Sequence, residues 1–447
     1  MIAPRVRMAL AALFFLYVLV MRTSDVANTF LMLGEQTRDW TIALGGWRDL
    51  PLTGPPSTAG GRGLGPVYYW ILWLGRHLVG PFMQNLPHAG GIVVALLQSA
   101  ADTWLLVVLW RRLPIALALS VSLLVASAPF DVGLSAVIWN PPVAAALAKM
   151  AIALALSLGA EPPRWRIVVT AAVAWFAVQA HSTAIFVAGP VLAVLVAMPL
   201  AHRQWRRSFE VAATVAAVVL VLQIPLAVAQ FRAPGTSLAP TRLIESIARA
   251  PAVNPIRSYG VVVDVTGGLL FRSMGTWTFQ VSTLIAGLIV LARWRHDLPL
   301  LAVSVGAIVA ATALFATWTS PYDSYWFLPL TSSMALTHAL ALAAVPWPMV
   351  LRGIGVALLA VVILWQPSRI AESKTSFKYP EYRAMRLASQ TLAAEAPVLR
   401  DIRVTFAVHP TMDKYFMYRI LGGRIASDAP MTAHIQPDGQ VTLGPAR

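Results

Sequence analysis

Long apolar runs separated by shorter polar segments form the main pattern of the chain. A membrane-spanning helix needs about 20 mostly apolar residues, and the sequence contains eleven candidate runs. They lie near 7–22, 89–110, 113–128, 142–159, 167–182, 183–200, 209–231, 276–292, 298–318, 326–345 and 348–366. The pattern predicts an all-α polytopic membrane protein with about eleven transmembrane helices.

Basic residues alternate between the two sides of this arrangement. If the N-terminus is cytoplasmic, the short inner loops are arginine-rich, whereas the short outer loops 129–141 and 319–325 contain no Lys or Arg. This is the positive-inside pattern of a multi-pass membrane protein. It places the two long loops 23–88 and 232–275 outside, together with the C-terminus, which is predicted to be periplasmic or extracytoplasmic.

The sequence divides into a transmembrane domain, 1–366, and a polar C-terminal segment, 367–447. In the second part we predict a helix around 382–394, a strand at 402–408 and a short helix at 412–420. This segment is expected to form a small α/β appendage on the outer face, and it is short for a domain that folds independently.

Composition narrows the functional classes. The chain of 447 residues is 58% hydrophobic and 12% charged, with a formal net charge of +15. In a soluble protein this charge would suggest nucleic acid. Here much of it sets topology, so membrane lipids and no nucleic acid are the expected partners. The absence of cysteine excludes disulfides and thiolate metal sites. The absence of a phosphate-binding P-loop motif agrees with a protein for which no nucleotide cofactor is expected.

The first outer loop carries candidate catalytic chemistry. Asp25 follows the first helix directly, where a carboxylate can act as a general base or hold a metal. The alternative is a solvated residue that caps the next helix. Arg62 lies in the glycine- and proline-rich stretch 54–66, where the backbone can approach a ligand closely and a guanidinium can bind phosphate. The alternative is a loop arginine without a ligand.

Two further groups in this loop have structural interpretations. Glu35, Arg38 and Asp39 share one helix face, which favours a surface salt-bridge set. Tyr68 and Tyr69 could stack on a sugar, but aromatic residues are also enriched at membrane interfaces.

Ionisable residues inside predicted spans must pair or face a cavity. Gln98 and Asp102 share a face of the second span, and Lys149 lies in the fourth. An Asp102–Lys149 ion pair is one interpretation. The other is that Lys149 binds a lipid phosphate.

Polar residues at the outer helix ends would border the same cavity as the first loop. Asn140 lies in Trp-Asn-Pro-Pro at the start of the fourth span, and His181 lies in Gln-Ala-His-Ser at the end of the fifth. Tyr322 and Tyr325, in the outer loop before the tenth span, could join this rim. A lone histidine at a helix end is also commonly structural.

The order of these motifs resembles a known family. An acidic residue after the first helix, the loop GPPSTAGGRGLGPVYYW, then WNPP, QAHS and YDSYWFLP are similar to the GT-C fold membrane glycosyltransferases. The branch in question includes the protein O-mannosyltransferases and the transferase that adds aminoarabinose to lipid A, the family 39 type. Relatives commonly have Asp-Glu where this chain has Asp25-Val26, and tyrosine where it has Ser182.

The resemblance implies sugar transfer from a polyprenyl-phosphate donor to a lipid, glycan or protein acceptor at the outer face. It implies a catalytic role for Asp25, with phosphate or substrate binding by Arg62, His181 and neighbouring residues, and it leaves a divalent metal open. Two alternatives remain. One is a transporter or lipid flippase that uses Gln98, Asp102 and Lys149, and the other is a polysaccharide ligase or polymerase of another membrane fold.

Overall fold

Helices occupy all eleven apolar runs. The computed structural model describes residues 4–57, 61–159, 161–233, 254–271, 276–318, 321–376, 381–395, 401–406, 416–425, 429, 431–436, 438 and 440–445. The helices are α1 (Pro4–Thr23), α2 (Val26–Thr29), α3 (Gly34–Leu44), α4 (Val67–Leu78), α5 (Pro87–Leu109), α6 (Ile115–Ala126), α7 (Pro129–Ser135), α8 (Asn140–Leu156), α9 (Arg164–Ala180), α10 (Ile185–Ala201), α11 (Trp205–Arg232), α12 (Pro255–Phe271), α13 (Thr276–Trp294), α14 (Leu298–Phe315), α15 (Thr331–Ala343), α16 (Pro348–Ser376), α17 (Glu381–Glu395) and α18 (Phe416–Ile420).

The described part of the chain is that of a multi-pass membrane protein. Eight of its helical segments are long and apolar enough to cross a membrane, and nine are if α6 and α7, bent by 59° at their junction, form one broken span. Helix α8 has 17 residues and is shorter than these. It is buried on nearly every side and packs against α5 and α9. Helix α11 buries only Ser208 and Val211, as expected for an apolar helix that faces lipid.

A network of four buried charges joins α1, α5, α7 and α8. Arg22 lies 2.7 Å from both Asp102 and Asp131, and Lys149 lies 2.8 Å from Asp102 and 3.0 Å from Asp131. All four side chains are at most 1% exposed. Because two cations meet two carboxylates, the network is electrically neutral, which is how charges are accommodated away from water.

This network contains the predicted Asp102–Lys149 ion pair. It argues against the alternative prediction, in which Lys149 binds a lipid phosphate. The Lys149 ammonium group also donates hydrogen bonds to the Gln98 side-chain oxygen at 3.1 Å and to Asp131 at 3.0 Å. A buried ammonium with these partners favours a role in helix packing over the binding of a lipid phosphate.

The loop predicted over 232–275 contains a helix that the sequence analysis missed. Helix α12 buries Val262, Val263 and Leu270 and packs against α13 and α14. Asp264 within it accepts a hydrogen bond from Gln280 of α13 at 2.8 Å. Polar residues such as Asp264 interrupt the apolar run and hide the helix from a hydropathy criterion.

The C-terminal segment contains the predicted helix, now α17, and a small mixed sheet. Strands β1 (Asp401–Phe406), β2 (Arg424–Ile425), β3 (Met431–Ile435) and β4 (Val441–Pro445) have the order β2-β1-β3-β4. Strand β1 is parallel to both of its neighbours, and β3 and β4 are antiparallel. The sequence predicted only the first strand. Residues 407–415, which include part of the predicted second helix and the end of that strand, lie outside the described residues.

Helix α17 belongs to two cores. Tyr382 and Met385 join the core of the membrane helices, whereas Ala388 and Leu392 pack under the small sheet. The Tyr382 hydroxyl is 2.9 Å from Nδ1 of His88 at the start of α5. The appendage is therefore attached to the helical body by side chains from one face of α17.

Candidate functional site

Asp25 lies where the chain turns sharply after α1. It occupies the N-cap position of the short helix α2, but its side chain makes no capping hydrogen bond. Instead its Oδ1 accepts a hydrogen bond from the Asn28 amide at 3.1 Å. The partly exposed carboxylate borders a small cavity of about 50 Å³ that Val132 and Ser373 also line. A partly exposed carboxylate beside a cavity is a candidate for a general base.

The segment around Arg62 forms a short hairpin and not an open loop. Pro56 and Arg62 form an antiparallel bridge, and the backbone of Gly54 donates to Gly63 at 3.0 Å. The Nε of Arg62 donates to the Thr53 hydroxyl at 2.9 Å and to the Gly54 carbonyl at 3.2 Å. These bonds fix the stem of the guanidinium against its own hairpin.

Glycine lets this hairpin lie directly on the end of α9. A Cβ built on Gly65 would be 2.3 Å from Cδ of the buried Gln179 side chain, so a larger residue at this position would require that side chain to move. Within the hairpin, a Cβ on Gly63 would be 3.1 Å from Cα of Gly54, which is a tight contact. Glycine at both positions permits the close approach. The contact places the first outer loop beside the turn that contains His181.

His181 lies between α9 and α10, at the outer end predicted for both helices. Its Nδ1 is 2.8 Å from the Thr183 hydroxyl, and its ring meets the edge of Tyr325 at a centroid distance of 6.0 Å. Tyr325 packs in turn on Trp139 at 4.4 Å. The Asn140 amide donates to the Ala180 carbonyl at 2.9 Å and so ties the start of α8 to the end of α9.

An aromatic cavity of about 190 Å³ opens at this turn. Its lining comes from the first outer loop, the turn after α9, the end of α14 and the segment before α15, and comprises Ser57, His181, Ser182, Thr183, Ile185, Phe186, Leu314, Phe315, Trp318 and Trp326. Tyr322 packs on Phe315 at a centroid distance of 5.3 Å and is 40% exposed at this rim. Three of the predicted motifs therefore do meet at one place.

Tyr68 and Tyr69 are placed elsewhere. Both are fully buried, and their hydroxyls donate to the two oxygens of Asp39 at 2.9 and 3.1 Å. Burial, and then the Asp39 charge, raise the pKa of both tyrosines. Their hydrogen bonds to Asp39 join α4 to α3. Because both rings are buried, no sugar can stack on them in this structure.

Asp39 itself corrects the surface salt-bridge prediction. It is 1% exposed and accepts a hydrogen bond from Nε of Arg38 at 2.8 Å in addition to the two tyrosines. Glu35 on the same face is exposed. Periodicity placed these residues together but could not show that Asp39 faces the protein interior.

Two of the predicted residues, Asp25 and His181, line different cavities. The cavity beside Asp25 and the aromatic cavity beside His181 share no lining residue. Val132 of α7 lines the first cavity, and Trp139, just before α8, packs on Tyr325, which contacts His181 of the second. Within the described ranges, no three His, Asp or Glu side chains come together in a way that could hold a metal ion.

The sequence analysis missed several residues around these cavities. Arg22 lines the cavity beside Asp25, and Ser57 lines the aromatic cavity. Arg386 of α17 donates to the Ala27 carbonyl at 2.8 Å and to the Asn28 side chain at 3.3 Å. Of these residues only Arg22 had a signal in the sequence, because it is a positive charge at the end of an apolar helix.

Comparison with known proteins identifies the fold. No family model matches the chain, and no curated protein matches it either. Among solved structures it is similar to ArnT from Cupriavidus metallidurans bound to undecaprenyl phosphate, with a TM-score of 0.58 and 14% identity over 94% of this chain and 86% of that one. The apo structure of the same protein gives a TM-score of 0.52 and 14% identity, over 92% and 84%. The chain therefore has the fold of the GT-C membrane glycosyltransferases along nearly its whole length.

Proposed function

We propose that this protein is a glycosyltransferase that moves a sugar from a polyprenyl-phosphate donor to a lipid, glycan or protein acceptor. The observation that carries the proposal is the likeness in fold over 94% of the chain to a transferase bound to undecaprenyl phosphate. The motif order along the sequence points to the same chemistry independently.

In the proposed reaction the acceptor hydroxyl attacks the anomeric carbon of the donor sugar. The new carbon–oxygen bond forms as the bond between that carbon and the phosphate oxygen breaks, and the polyprenyl phosphate leaves with the bonding electrons. Asp25 accepts the hydroxyl proton. It is suited to this because it is partly exposed, borders a cavity and is oriented by Asn28 at 3.1 Å.

Developing charge on the leaving phosphate requires nearby donors. Arg62 is the first candidate, because its described hydrogen bonds use only Nε and leave the terminal nitrogens for a phosphate. His181 is the second, since it lines the neighbouring cavity. Asn140 is assigned a positioning role through its bond to Ala180.

The aromatic cavity fits the apolar or sugar part of a substrate. Phe315, Trp318 and Trp326 give it faces on which prenyl groups or a pyranose can stack. Tyr322 and Tyr325 lie at its rim, and each is packed against an aromatic neighbour. We assign them to substrate binding on this geometry.

The arginine distribution supports an orientation with a cytoplasmic N-terminus in the bacterial inner membrane. In that orientation both cavities and the C-terminal appendage lie on the periplasmic side. The donor then arrives through the membrane as a lipid, and the reaction needs no nucleotide sugar in the periplasm.

The transporter alternative loses the observation that motivated it. Gln98, Asp102 and Lys149 bind one another and Asp131 within a neutral buried network. Their presence in the membrane is explained by this packing, and no substrate path is needed to account for them.

The test is sugar transfer from a polyprenyl-phosphate donor by membranes that contain the Asp25→Asn variant. We expect a loss of about 10²–10⁴-fold, the usual contribution of a general base. Glu35→Gln is the matched control, because Glu35 is an exposed carboxylate of the same outer loop. Normal transfer by a normally expressed Asp25→Asn protein would exclude the catalytic assignment.

A further inference from the structure

A further cavity lies at the other end of α9 from His181. It has a volume of about 840 Å³ and is lined by Pro162, Pro163, Arg164, Ile167, Arg203, Gln204, Trp205, Arg206, Arg207, Glu210, Val211 and Thr214. Helix α9 has 17 residues and so spans about 25 Å. The length of α9 separates this cavity from the proposed active site. The proposed function does not explain the cavity.

The lining is strongly basic. Four arginines face one glutamate, so the lining carries a formal charge of +3. Glu210 lies 3.5 Å from Arg164 and 3.4 Å from Arg206, and Arg207 lies 3.3 Å from Glu161 outside the lining. Two carboxylates thus offset four guanidinium groups. Arg203 has no carboxylate partner within the described residues, and an anion is the ligand that this surplus charge would attract.

The backbone conformation of Arg203 also supports a binding role for its side chain. Its φ is +58°, in the left-handed region that residues with a Cβ adopt unfavourably. The position follows the end of α10, where its amide donates to Leu200, and glycine is the usual residue at such a turn. Because an arginine in this backbone conformation costs conformational energy, we expect its side chain to have a functional role.

Two helices begin at this cavity. Helices α9 and α11 start at Arg164 and Trp205, and neither N-cap residue, Pro163 or Gln204, makes a side-chain capping hydrogen bond. The positive ends of both helix dipoles therefore add to the arginine charge.

Exposed aromatic residues place the cavity at a membrane surface. Trp165, Trp205 and Phe209 are 62%, 71% and 77% exposed at the starts of α9 and α11. Tryptophan at the end of an apolar helix is typical of the level of the lipid headgroups. A cationic cavity at this level faces the phosphates of the adjoining leaflet.

We propose that this cavity binds the phosphate headgroup of an anionic phospholipid. Basic pockets between helices at a membrane surface bind such headgroups. The leaflet is the inner one if the orientation proposed above holds, whereas the phosphate chemistry holds in either orientation. The site is separate from sugar transfer and would remain if that function were wrong.

Arginines set topology in any membrane protein, so an ordinary inner-loop arginine serves as the control. Arg111 is exposed on the same side of the membrane, in the turn after α5, and does not line the cavity. Topology alone predicts equal behaviour for Arg111 and Arg203. Headgroup binding predicts that they differ.

The experiment measures the thermal stabilisation of the full-length protein in zwitterionic detergent as phosphatidylglycerol is added. We expect saturable stabilisation of the wild type and of Arg111→Gln, with apparent affinity about fivefold weaker in both Arg203→Gly and Arg206→Gln. The Arg203→Gly variant suits the position's backbone, so it should be at least as stable as the wild type without lipid.

Three results would overturn the proposal. One is unchanged lipid affinity in Arg203→Gly and Arg206→Gln, and another is an equal loss in Arg111→Gln. The third is equal stabilisation by inorganic phosphate at the same concentration as the lipid, which would mark a site for soluble anions.

Discussion

Replacing Lys149 by methionine tests whether the buried network is a neutral structural unit. Lys149 lies 2.8 Å from Asp102 and 3.0 Å from Asp131, and its loss leaves two carboxylates facing the single guanidinium of Arg22. A buried net charge of −1 remains. Removing one partner of a buried pair typically costs about 3–5 kcal/mol, and we expect a loss of that size because both carboxylates are at most 1% exposed.

The assay is denaturation of the purified protein by titration with SDS, followed by circular dichroism. Arg164→Met is the matched control, because the Arg164–Glu210 pair is 84% and 44% exposed and such surface pairs contribute about 0–1 kcal/mol. The double variant Lys149→Met/Asp102→Asn restores neutrality and keeps the Arg22–Asp131 pair. It should recover most of the lost stability.

Two outcomes would refute this reasoning. The first is a Lys149→Met variant that is no less stable than Arg164→Met, and the second is a double variant that is no more stable than Lys149→Met. Transfer activity adds a further check. A double variant that folds normally but loses transfer would restore the interpretation of Lys149 as a phosphate ligand.

Two other predictions concern the first outer loop. In Gly65→Ala the added Cβ would lie 2.3 Å from the Gln179 side chain, so this buried side chain must shift, the contact between the hairpin and α9 should loosen, and transfer should fall. Gly34→Ala, with no atom within 4 Å, should leave transfer unchanged. Equal activities of the two variants would contradict the proposed contact. Burial and Asp39 raise the pKa of Tyr68 and Tyr69 above the ordinary value of 10.0, so their stabilising contribution is complete below pH 10 and falls as the pH rises further. In an alkaline titration followed by tyrosinate absorbance, the two residues should ionise only as the protein unfolds, and their ionisation in the folded protein would show that they are not buried against Asp39.

Hydropathy predicted the membrane helices because a span is a local property of about 20 residues. It failed where polar residues are satisfied by distant partners. Asp264 in α12 and Asp131 in α7 each bind a side chain from another helix, and no local pattern reveals such a partner. Strands β3 and β4 were missed for the same reason, since their pairing is a tertiary contact.

For the candidate site, too, the sequence predicted local properties but not tertiary contacts. Arginine counts predicted that Asn140 and His181 lie at the same ends of their helices, and the structure links Asn140 to Ala180 beside His181. The sequence could not show which side chains of the first outer loop are buried. Tyr68 and Tyr69 look alike in sequence whether they face a sugar or Asp39, and only the fold decides in favour of Asp39.

The attachment of α17 has a consequence for the order in which the protein matures. Arg386 holds Asn28, and Asn28 holds Asp25, so a residue near the end of the chain completes the surroundings of one near its beginning. During synthesis the membrane helices are made before α17, so Asn28 lacks its hydrogen bond to Arg386 until α17 has docked. The surroundings of Asp25 are therefore complete only after a residue 358 positions beyond Asn28 has been made and has docked, and a chain that is cut before α17 should insert without them.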